Sequence, residues 1–483
     1  MTRSKLAARL ESKAFATGSA QVRRVTGSEA LGRLFWFDVD VVVTGEVDTS
    51  AIEGSTATLL FSVDEERGSR DVRRVHGVVA EIEDALDTET DTRQLRLRLV
   101  PRAFRMTLVK TQEVFLGKSI PEVIREKLAL VGVGENDIEL RLADAYPPRE
   151  FIVQYQETDL AFISRWAEHA GISFYFDHEG DADRMIFTDG KGFEAFSSGE
   201  VVGYHGRGEK RGVHRISSRM RLVPNMFIEQ DYNYATPQLH ISGEAEAPNG
   251  LGGGVHAFGS NVATPMEALA LAKVRSEEHE AQHDVFSGEA SLPELEPGRI
   301  LKLEGHKRLG DKRLLITSVE HHLTQTAGMH AGGDDDTYVA KFTAVDAELR
   351  YRPPRVTPRP RISGLVTAVV EPLMLGDTSK FAKIDAHGRY IVRFHFDTRD
   401  HGPERPSLPV RMLQPHAGAG YGMHFPLKPG VEVVVAFLDG DPDQPMIVGA
   451  VPNAVTPSPV VQASNTHHRI RTESGILIEL KDA

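Results

Sequence analysis

The chain has 483 residues, of which 40% are hydrophobic and 26% charged. This length and composition predict a globular protein of roughly two to four domains, with no apolar run near the roughly 20 residues that cross a bilayer. The formal charge of −13 opposes an extended contact with nucleic acid. The absence of cysteine excludes disulfides, thiol nucleophiles and iron–sulfur clusters. The N-terminus lacks the apolar core of a secretory signal, so we expect no signal peptide and synthesis into the cytoplasm.

The first hundred residues predict an antiparallel barrel or sandwich. Segments rich in β-branched and aromatic residues are separated by polar turns, which is typical of strands. The predicted strands are residues 34–37, 39–43, 57–63, 75–82 and 95–100.

Two helices are predicted next. Ser119 and Glu122 have the spacing of a capping box, which predicts a helix over residues 119–131. A second helix is predicted over residues 158–171, because apolar residues recur at helical spacing between a capping threonine or aspartate and a glycine stop.

More strands are predicted within residues 207–234 and 289–345, interrupted by a helix from Pro265 to about His283. Residues 350–361 are rich in proline and arginine. Because proline fixes φ and removes a donor, this stretch predicts a stiff, extended connector and a domain boundary.

Residues 362–451 predict a small closed barrel. The apolar residues from Tyr390 to Phe396 recur at every second position, as in a strand that buries one face. In the strand over residues 431–438, the intervening Val434 and Leu438 are apolar as well. We therefore expect that strand to be covered on both faces.

A second connector, residues 452–459, precedes the final segment, residues 466–483. There Ile476, Ile478 and Leu480 lie at alternate positions, which predicts one strand. A single strand leaves both of its edges unpaired and cannot satisfy them alone.

The sharpest catalytic pattern is the His-Glu-x-x-His run formed by His279, Glu280 and His283. On a helix this spacing puts both imidazoles on one face to bind zinc, with the glutamate as general base. The flanking residues are polar, and no third ligand follows in a recognisable motif. An exposed, charged helix face is the expected structure, and a zinc metallopeptidase stays an alternative.

Two adjacent histidine pairs, His321 with His322 and His467 with His468, would point to opposite faces of a strand. Neither pair can chelate one ion by itself, so we expect ordinary surface or interface histidines. In a trimer, however, three copies of His467 or His468 could meet on the axis.

Asp439, Asp441 and Asp443 resemble a calcium-binding carboxylate cluster. The intervening Gly440 and Pro442 favour a tight turn instead. We therefore predict no metal and no cofactor.

A small barrel can also bind carbohydrate or single-stranded nucleic acid on cationic and aromatic groups. Between residues 362 and 455 there are eight Lys/Arg against ten Asp/Glu, and no tryptophan. This composition disfavours such a groove, and a binding module stays a second alternative.

Two stretches of the chain resemble a known family. One is the barrel, with Gly-Tyr-Gly at residues 420–422 and Phe-Leu-Asp-Gly-Asp-Pro-Asp at residues 437–443. The other is residues 149–176. Both resemble the VgrG proteins, the spikes of type VI secretion systems, which are similar to the hub and spike proteins of contractile phage tails.

The resemblance implies a mainly β fold with a few helices: phage-hub-like β-barrel domains, an OB-fold-like small barrel and the start of an intertwined trimeric β-prism. The implied domains are a hub over residues 1–350, a linker over 351–361, the OB-like barrel over 362–455, and a connector with the first strand of a truncated or very short β-needle over 456–483.

The resemblance further implies a structural, non-enzymatic homotrimer that is cytoplasmic before firing and then injected. Its implied partners are a tube protein at the hub end, a PAAR-like tip protein at the needle end, baseplate proteins, secreted effectors and, transiently, a target membrane, with no nucleic acid. The trimer-interface candidates are Val434, Leu438, Ile476, Ile478 and Leu480.

Overall fold

The computed structural model describes residues 6–15, 19–45, 47–65, 68–86, 92–196, 199–208, 210–325, 337–372, 383–402 and 405–482. The chain forms two compact units. The N-terminal unit comprises Met1–Val109, Ile120–Tyr146 and Thr158–Pro358. The barrel unit comprises Lys110–Ser119, Pro147–Glu157 and Arg359–Ala483.

The structure is mainly β, as predicted. The strands of the first part of the chain are β1 (Leu6–Ser12), β2 (Ala20–Ala30), β3 (Trp36–Thr44), β4 (Thr56–Glu65), β5 (Gly68–Asp84), β6 (Thr92–Val100), β7 (Lys110–Phe115), β8 (Ile138–Arg141), β9 (Ile152–Thr158) and β10 (Ser173–Asp177). Next come β11 (Arg184–Thr188), β12 (Glu194–Ala195), β13 (Val201–Gly203), β14 (Val213–Met220), β15 (Met226–Asp231), β16 (Ile241–Glu246), β17 (Gly254–Phe258), β18 (Asp284–Ala290), β19 (Arg299–Glu304), β20 (Arg313–Thr324) and β21 (Thr337–Asp346). The last are β22 (Val366–Glu371), β23 (Ile391–Phe394), β24 (Arg411–Met412), β25 (Ala417–Gly418), β26 (Tyr421–Gly422), β27 (Glu432–Phe437), β28 (Pro445–Ala450), β29 (His467–Arg471) and β30 (Leu477–Lys481).

The α-helices are α1 (Thr49–Ile52), α2 (Ile120–Leu130), α3 (Asp159–Ala170) and α4 (Pro265–Glu280). Both helices expected between residues 119 and 171 are present. In α3 the Thr158 hydroxyl accepts the Ala161 N–H at 3.2 Å, and Gly171 ends the helix at φ +72°. Within the described residues, no helix has the length and apolarity required to cross a membrane.

The first six strands and the second half of the N-terminal unit share one sheet, in the order β1-β4-β5-β6-β3-β2-β20-β21-β18-β14. Gln325 bridges β1 and β2: its Nε2 donates to the carbonyls of Ala8 and Val22, and its Oε1 accepts the Ala8 N–H. One side chain thus satisfies backbone groups of two strands that are distant in the sheet order.

The smaller sheet β16-β15-β17 packs on α4. A Cβ built on Gly243 would lie 2.1 Å from the backbone nitrogen of Leu269 in α4. Only glycine permits this approach of strand and helix.

A buried charge cluster lies inside the N-terminal unit. The Arg73 guanidinium pairs with Glu29 and donates to the carbonyls of Pro293 and Leu295 at 3.0 and 3.1 Å. His321 Nε2 lies 2.9 Å from Glu29, and burial lowers the pKa of His321. The expectation of a surface or interface histidine is therefore wrong for His321, because β20 points it inward, whereas His322 faces outward and is exposed.

The proline- and arginine-rich connector begins inside the N-terminal unit. Arg352 is 2% exposed; its Nε donates to Glu277 at 2.7 Å and its Nη1 to the Gly171 carbonyl at 3.0 Å. Tyr351 is buried as well. These contacts fix the start of the connector by packing and ion pairs, in addition to the stiffness that proline provides.

The predicted small barrel is present. Its strands follow the order β23-β22-β27-β28-β24, and an antiparallel bridge between Tyr390 and Val410 joins the two ends. The buried side chains are the alternating apolar residues that the sequence pattern singled out, including Val392 and Phe394.

The C-terminal segment corrects one expectation. It forms two strands, β29 and β30, which pair antiparallel with Ile470 opposite Ile478. The reversal occurs at Thr472–Gly475, where Gly475 has φ +93° and the Thr472 hydroxyl accepts the Ile476 N–H at 3.0 Å. The final strand is therefore one arm of a hairpin, because the turn residues at 472–475 divide the segment.

Candidate subunit-contact surfaces

The acidic run at residues 439–443 forms a tight turn whose carboxylates bind protein donors. Asp439 adopts φ +52°, and the Leu438 N–H donates to the Gln444 carbonyl at 3.0 Å. Asp441 Oδ1 accepts the Asp443 N–H at 3.1 Å, and Asp441 Oδ2 pairs with Arg359. This geometry supports the turn interpretation over calcium binding.

Asp443 forms a hydrogen bond with a segment that lies far upstream in the sequence. Its Oδ1 accepts the backbone N–H of Val153 at 2.6 Å. Val153 belongs to β9, which pairs with β7 in a two-stranded sheet. We call residues 110–119 and 147–157 the ribbon; both segments belong to the barrel unit.

The ribbon completes the core of the barrel. Val114, Phe151 and Val153 are buried in one cluster with Phe394 and Val433 of the barrel strands. The ring centroids of Phe151 and Phe394 are 6.4 Å apart. The apolar alternation of the barrel is visible in its own sequence, but the need for a ribbon some 240 residues upstream is not.

The outer face of β27 and the turn that follows it carry the first two interface candidates. Val433, Val435 and Phe437 point into the core, so Val434 points away from it, and Leu438 begins the short turn that follows β27. Val434 is half-buried and Leu438 is 37% exposed. The apolar outer face expected from the sequence is thus present and open to solvent in the single chain.

The terminal hairpin carries the other three candidates on one face. Ile476, Ile478 and Leu480 share that face with Ile470, and these four side chains are between 49% and 68% exposed. On the opposite face, Glu479 accepts from Arg469 Nε at 2.6 Å and lies 3.0 Å from His467 Nδ1. One face is therefore satisfied within the chain, while the other carries four uncovered apolar side chains beside the His468–Asp482 pair.

A third apolar surface was not predicted. Tyr421, Met423 and Phe425 are all about half or more exposed and lie on the hairpin formed by β25, β26 and the residues that follow. Between them, His424 points inward, with Nε2 2.8 Å from the Tyr390 hydroxyl. The same period-2 pattern in the sequence, apolar at 421, 423 and 425, was the signal that could have found it.

The His-Glu-x-x-His run does not have the geometry of the alternative zinc site. Helix α4 ends at Glu280, so His283 lies beyond it and does not share a helical face with His279. Glu280 is buried and accepts hydrogen bonds from the backbone N–H and side-chain amide of Asn249. His279 packs against the Phe227 ring at 4.7 Å. The expected exposed helix face is also wrong, since Arg275, Glu278 and Glu280 are buried on it.

Across the described ranges, no group of three or more histidine and acidic side chains is arranged to hold a metal ion. His467 and His468 each face a carboxylate of their own hairpin, Glu479 and Asp482 respectively.

Comparison with known proteins identifies the family. Residues 28–327 match the model of the phage tail baseplate hub family, and residues 382–451 match the type VI secretion system/phage-baseplate injector OB domain. The first match covers more than half of the sequence. The chain belongs to the phage tail baseplate hub family.

Relatives of this hub-family chain include two spike proteins of Pseudomonas aeruginosa, which confirms the resemblance to VgrG. The type VI secretion system spike protein VgrG4b is 28% identical over 464 residues, covering 92% of this chain and 56% of the relative. VgrG1a is 28% identical over 468 residues, covering 94% of this chain and 70% of the relative. The chain thus spans about half to two thirds of the length of these relatives.

Solved structures share the fold. The E. coli c3393 protein, described as a component of the type VI secretion system, superposes with a TM-score of 0.64 at 22% identity, covering 92% of this chain and all of that one. A chain of the Francisella PdpA–VgrG complex gives a TM-score of 0.63 at 9% identity, and the match covers 99% of this chain and 76% of that chain. The comparisons give no support to a metallopeptidase or to a carbohydrate- or nucleic-acid-binding module.

Proposed function

We propose that this chain is the subunit of a homotrimeric spike in a contractile injection apparatus of the type VI secretion kind. The family match, the hub-like fold and the named spike relatives support this proposal. The mechanism is mechanical: a contracting sheath drives a rigid trimer through a target membrane.

One observation supports trimer formation most directly. The terminal hairpin satisfies its charged face within the chain and leaves Ile470, Ile476, Ile478 and Leu480 uncovered on the other. A two-stranded hairpin with a bare apolar face is marginally stable alone in water. Burial of this face against the same hairpin of two other copies removes apolar area from water and completes the strands.

The outer face of β27 and the turn that follows it extend the same interface. Val434 and Leu438 are apolar side chains that the core of their own barrel does not cover. Contact with a neighbouring copy would bury both side chains, which explains why both residues are apolar.

The proposed partners follow from the spike role. They are a tube protein at the hub end, a PAAR-like tip protein at the needle end, baseplate proteins and secreted effectors. The protein is cytoplasmic before firing and is then injected, with transient contact to the target membrane and none to nucleic acid. The relatives whose names describe a structural spike support this set.

The proposed spike is not an enzyme and uses no cofactor. One relative, of Vibrio cholerae, is an actin cross-linking toxin, and this chain covers 38% of its length. The part of this chain matched by family models is assigned to hub and OB domains. His283 lies beyond the end of α4 and does not share a helical face with His279, which argues against the peptidase alternative.

The proposal is tested by a charge placed on each face of the terminal hairpin. Ile478→Lys puts an ammonium on the apolar face and should weaken self-association by about tenfold or more, measured by light scattering across a concentration series. Leu477→Lys changes an adjacent, equally apolar residue on the opposite face and is the matched control. Equal effects of the two variants, or none, would contradict the proposed interface.

A further inference from the structure

The chain enters the barrel unit three times. It crosses between the two units after residues 109, 119, 146, 157 and 358. The barrel is therefore connected to the rest of the chain by the two segments of the ribbon as well as by the proline-rich connector. If the chain is cut in the connector, it still passes between the two units at the other four points, all of them at the ends of the ribbon segments.

The ribbon is bound in the barrel by its core side chains. Val114 is 1% exposed and Val153 is fully buried, and both belong to the same cluster as Val392 and Phe394. Tyr155 adds an edge-to-face contact with Phe396 at 5.3 Å between ring centroids. Withdrawal of the ribbon would open the barrel core to water.

Polar contacts fix the position of the ribbon. The Thr398 N–H and hydroxyl both donate to the Gln112 carbonyl, at 2.8 and 2.9 Å. The Val153 N–H donates to Asp443 at 2.6 Å, and the Arg399 guanidinium lies 4.5 Å from the centre of the Phe115 ring. These bonds involve both segments of the ribbon, so neither segment leaves without breaking backbone hydrogen bonds.

We propose that the ribbon, and not the proline-rich connector, is the mechanical anchor of the barrel: the barrel stays attached when the connector is cut. The mechanical meaning of this anchor rests on the proposed spike function, since a spike pushed from its hub end must not depend on one linker. The attachment itself is a property of the single chain and is independent of that function.

The test is a cut made after folding. A protease recognition sequence is inserted between Pro358 and Arg359, both exposed, and the purified full chain is cleaved. We expect two fragments on a denaturing gel and one co-eluting species in size exclusion under native conditions. Separation of the fragments in native buffer would overturn the proposal. Cut and uncut protein are compared at the same concentration. Co-elution of the fragments therefore tests the ribbon, whereas the mass of the uncut chain tests the trimer.

Ribbon variants identify the cause of retention. Val114→Ala combined with Phe151→Ala removes two core side chains and should weaken retention after cleavage on the order of 100-fold or more. Lys110→Ala, on an exposed position of β7, is the matched control and should retain the barrel. Equal retention in the double variant and the control would overturn the assignment to the ribbon.

Hydrogen exchange provides a measurement that does not depend on the double variant folding. In the cut parent chain, the Val153 amide should exchange as slowly as the amides of β27, because the ribbon leaves only when the barrel opens. Exchange of Val153 well ahead of β27 would overturn the proposal.

Discussion

The backbone N–H of Val153 donates to Oδ1 of Asp443 across 2.6 Å, although the two residues are 290 positions apart in the chain. Asp443 closes the acidic turn that resembles a calcium loop in the sequence. Its carboxylate instead accepts a main-chain hydrogen bond from the ribbon, while Asp441 pairs with Arg359. The turn therefore joins three distant parts of the barrel unit.

Removal of this acceptor should destabilise the barrel unit. Asp443→Ala leaves the Val153 N–H without its partner in a buried site, which costs about 1–3 kcal/mol. The loss is measured as faster amide exchange in barrel peptides. Asp439→Asn, in the same turn, keeps a residue type that tolerates positive φ and should change stability by less than about 0.5 kcal/mol. A similar loss in both variants would contradict the role given to Asp443.

Acid should weaken the N-terminal unit through the buried side chain of His178. Burial keeps His178 neutral and lowers its pKa to about 3; Arg73 and His76 act in the same direction, and Glu29 and Asp177 oppose it. The unfolded state takes up this proton near pH 6.5, so the free energy of unfolding falls as pH decreases from about 6.5 towards 3. At pH 5 the loss from this group is about 2 kcal/mol.

Two variants separate this histidine from the other groups. His178→Asn keeps an acceptor for the His76 N–H, which His178 Nδ1 accepts at 3.1 Å, but cannot titrate. Urea unfolding of this variant is followed by tryptophan fluorescence. Between pH 6.5 and 5 its free energy of unfolding should fall less steeply than that of the parent chain, by a slope that corresponds to about one proton. His322→Asn, at an exposed position of β20, is the control for the substitution itself. Glu29 does not affect this window: burial raises its pKa, but Arg73 and His321 lower it to about 2. An unchanged slope in His178→Asn would contradict the assignment.

The contact of β16 with α4 should tolerate no side chain at Gly243. Gly243→Ala puts a methyl group against the backbone of Ala268 and Leu269, and overpacking of this kind costs about 1–3 kcal/mol. This destabilisation is measured as a decrease in the midpoint temperature of thermal unfolding. Gly449→Ala is the matched control, since its Cβ would meet no atom within 4 Å. A neutral Gly243→Ala would show that strand and helix can separate without cost.

Glu280 should behave as a structural residue. Glu280→Ala removes the acceptor for two Asn249 donors and should destabilise the N-terminal unit by about 1–3 kcal/mol. Elemental analysis of the parent protein should find no stoichiometric zinc. Stoichiometric zinc that disappears with His279→Ala, without a loss of stability, would restore the peptidase alternative.

The sequence predicted elements whose signals are local. The cap at Thr158, the stop at Gly171 and the alternation from Tyr390 to Phe396 depend on neighbouring residues, and α3 and the barrel core formed as expected. His321 could not be placed from its neighbours, because its burial depends on Glu29 and Arg73 from other strands. The ribbon was missed for the same reason: Val114 and Val153 are covered by residues that are far away in the sequence. The domain boundaries expected from composition stay a prediction, and so do the five trimer-interface candidates.

The most direct test of the proposed spike is the mass of the chain in solution. Sedimentation equilibrium across a concentration series should show association towards about 160 kDa, three times the chain mass of 53.2 kDa. A single species of 53.2 kDa at every concentration would contradict the trimer and the mechanical function that depends on it.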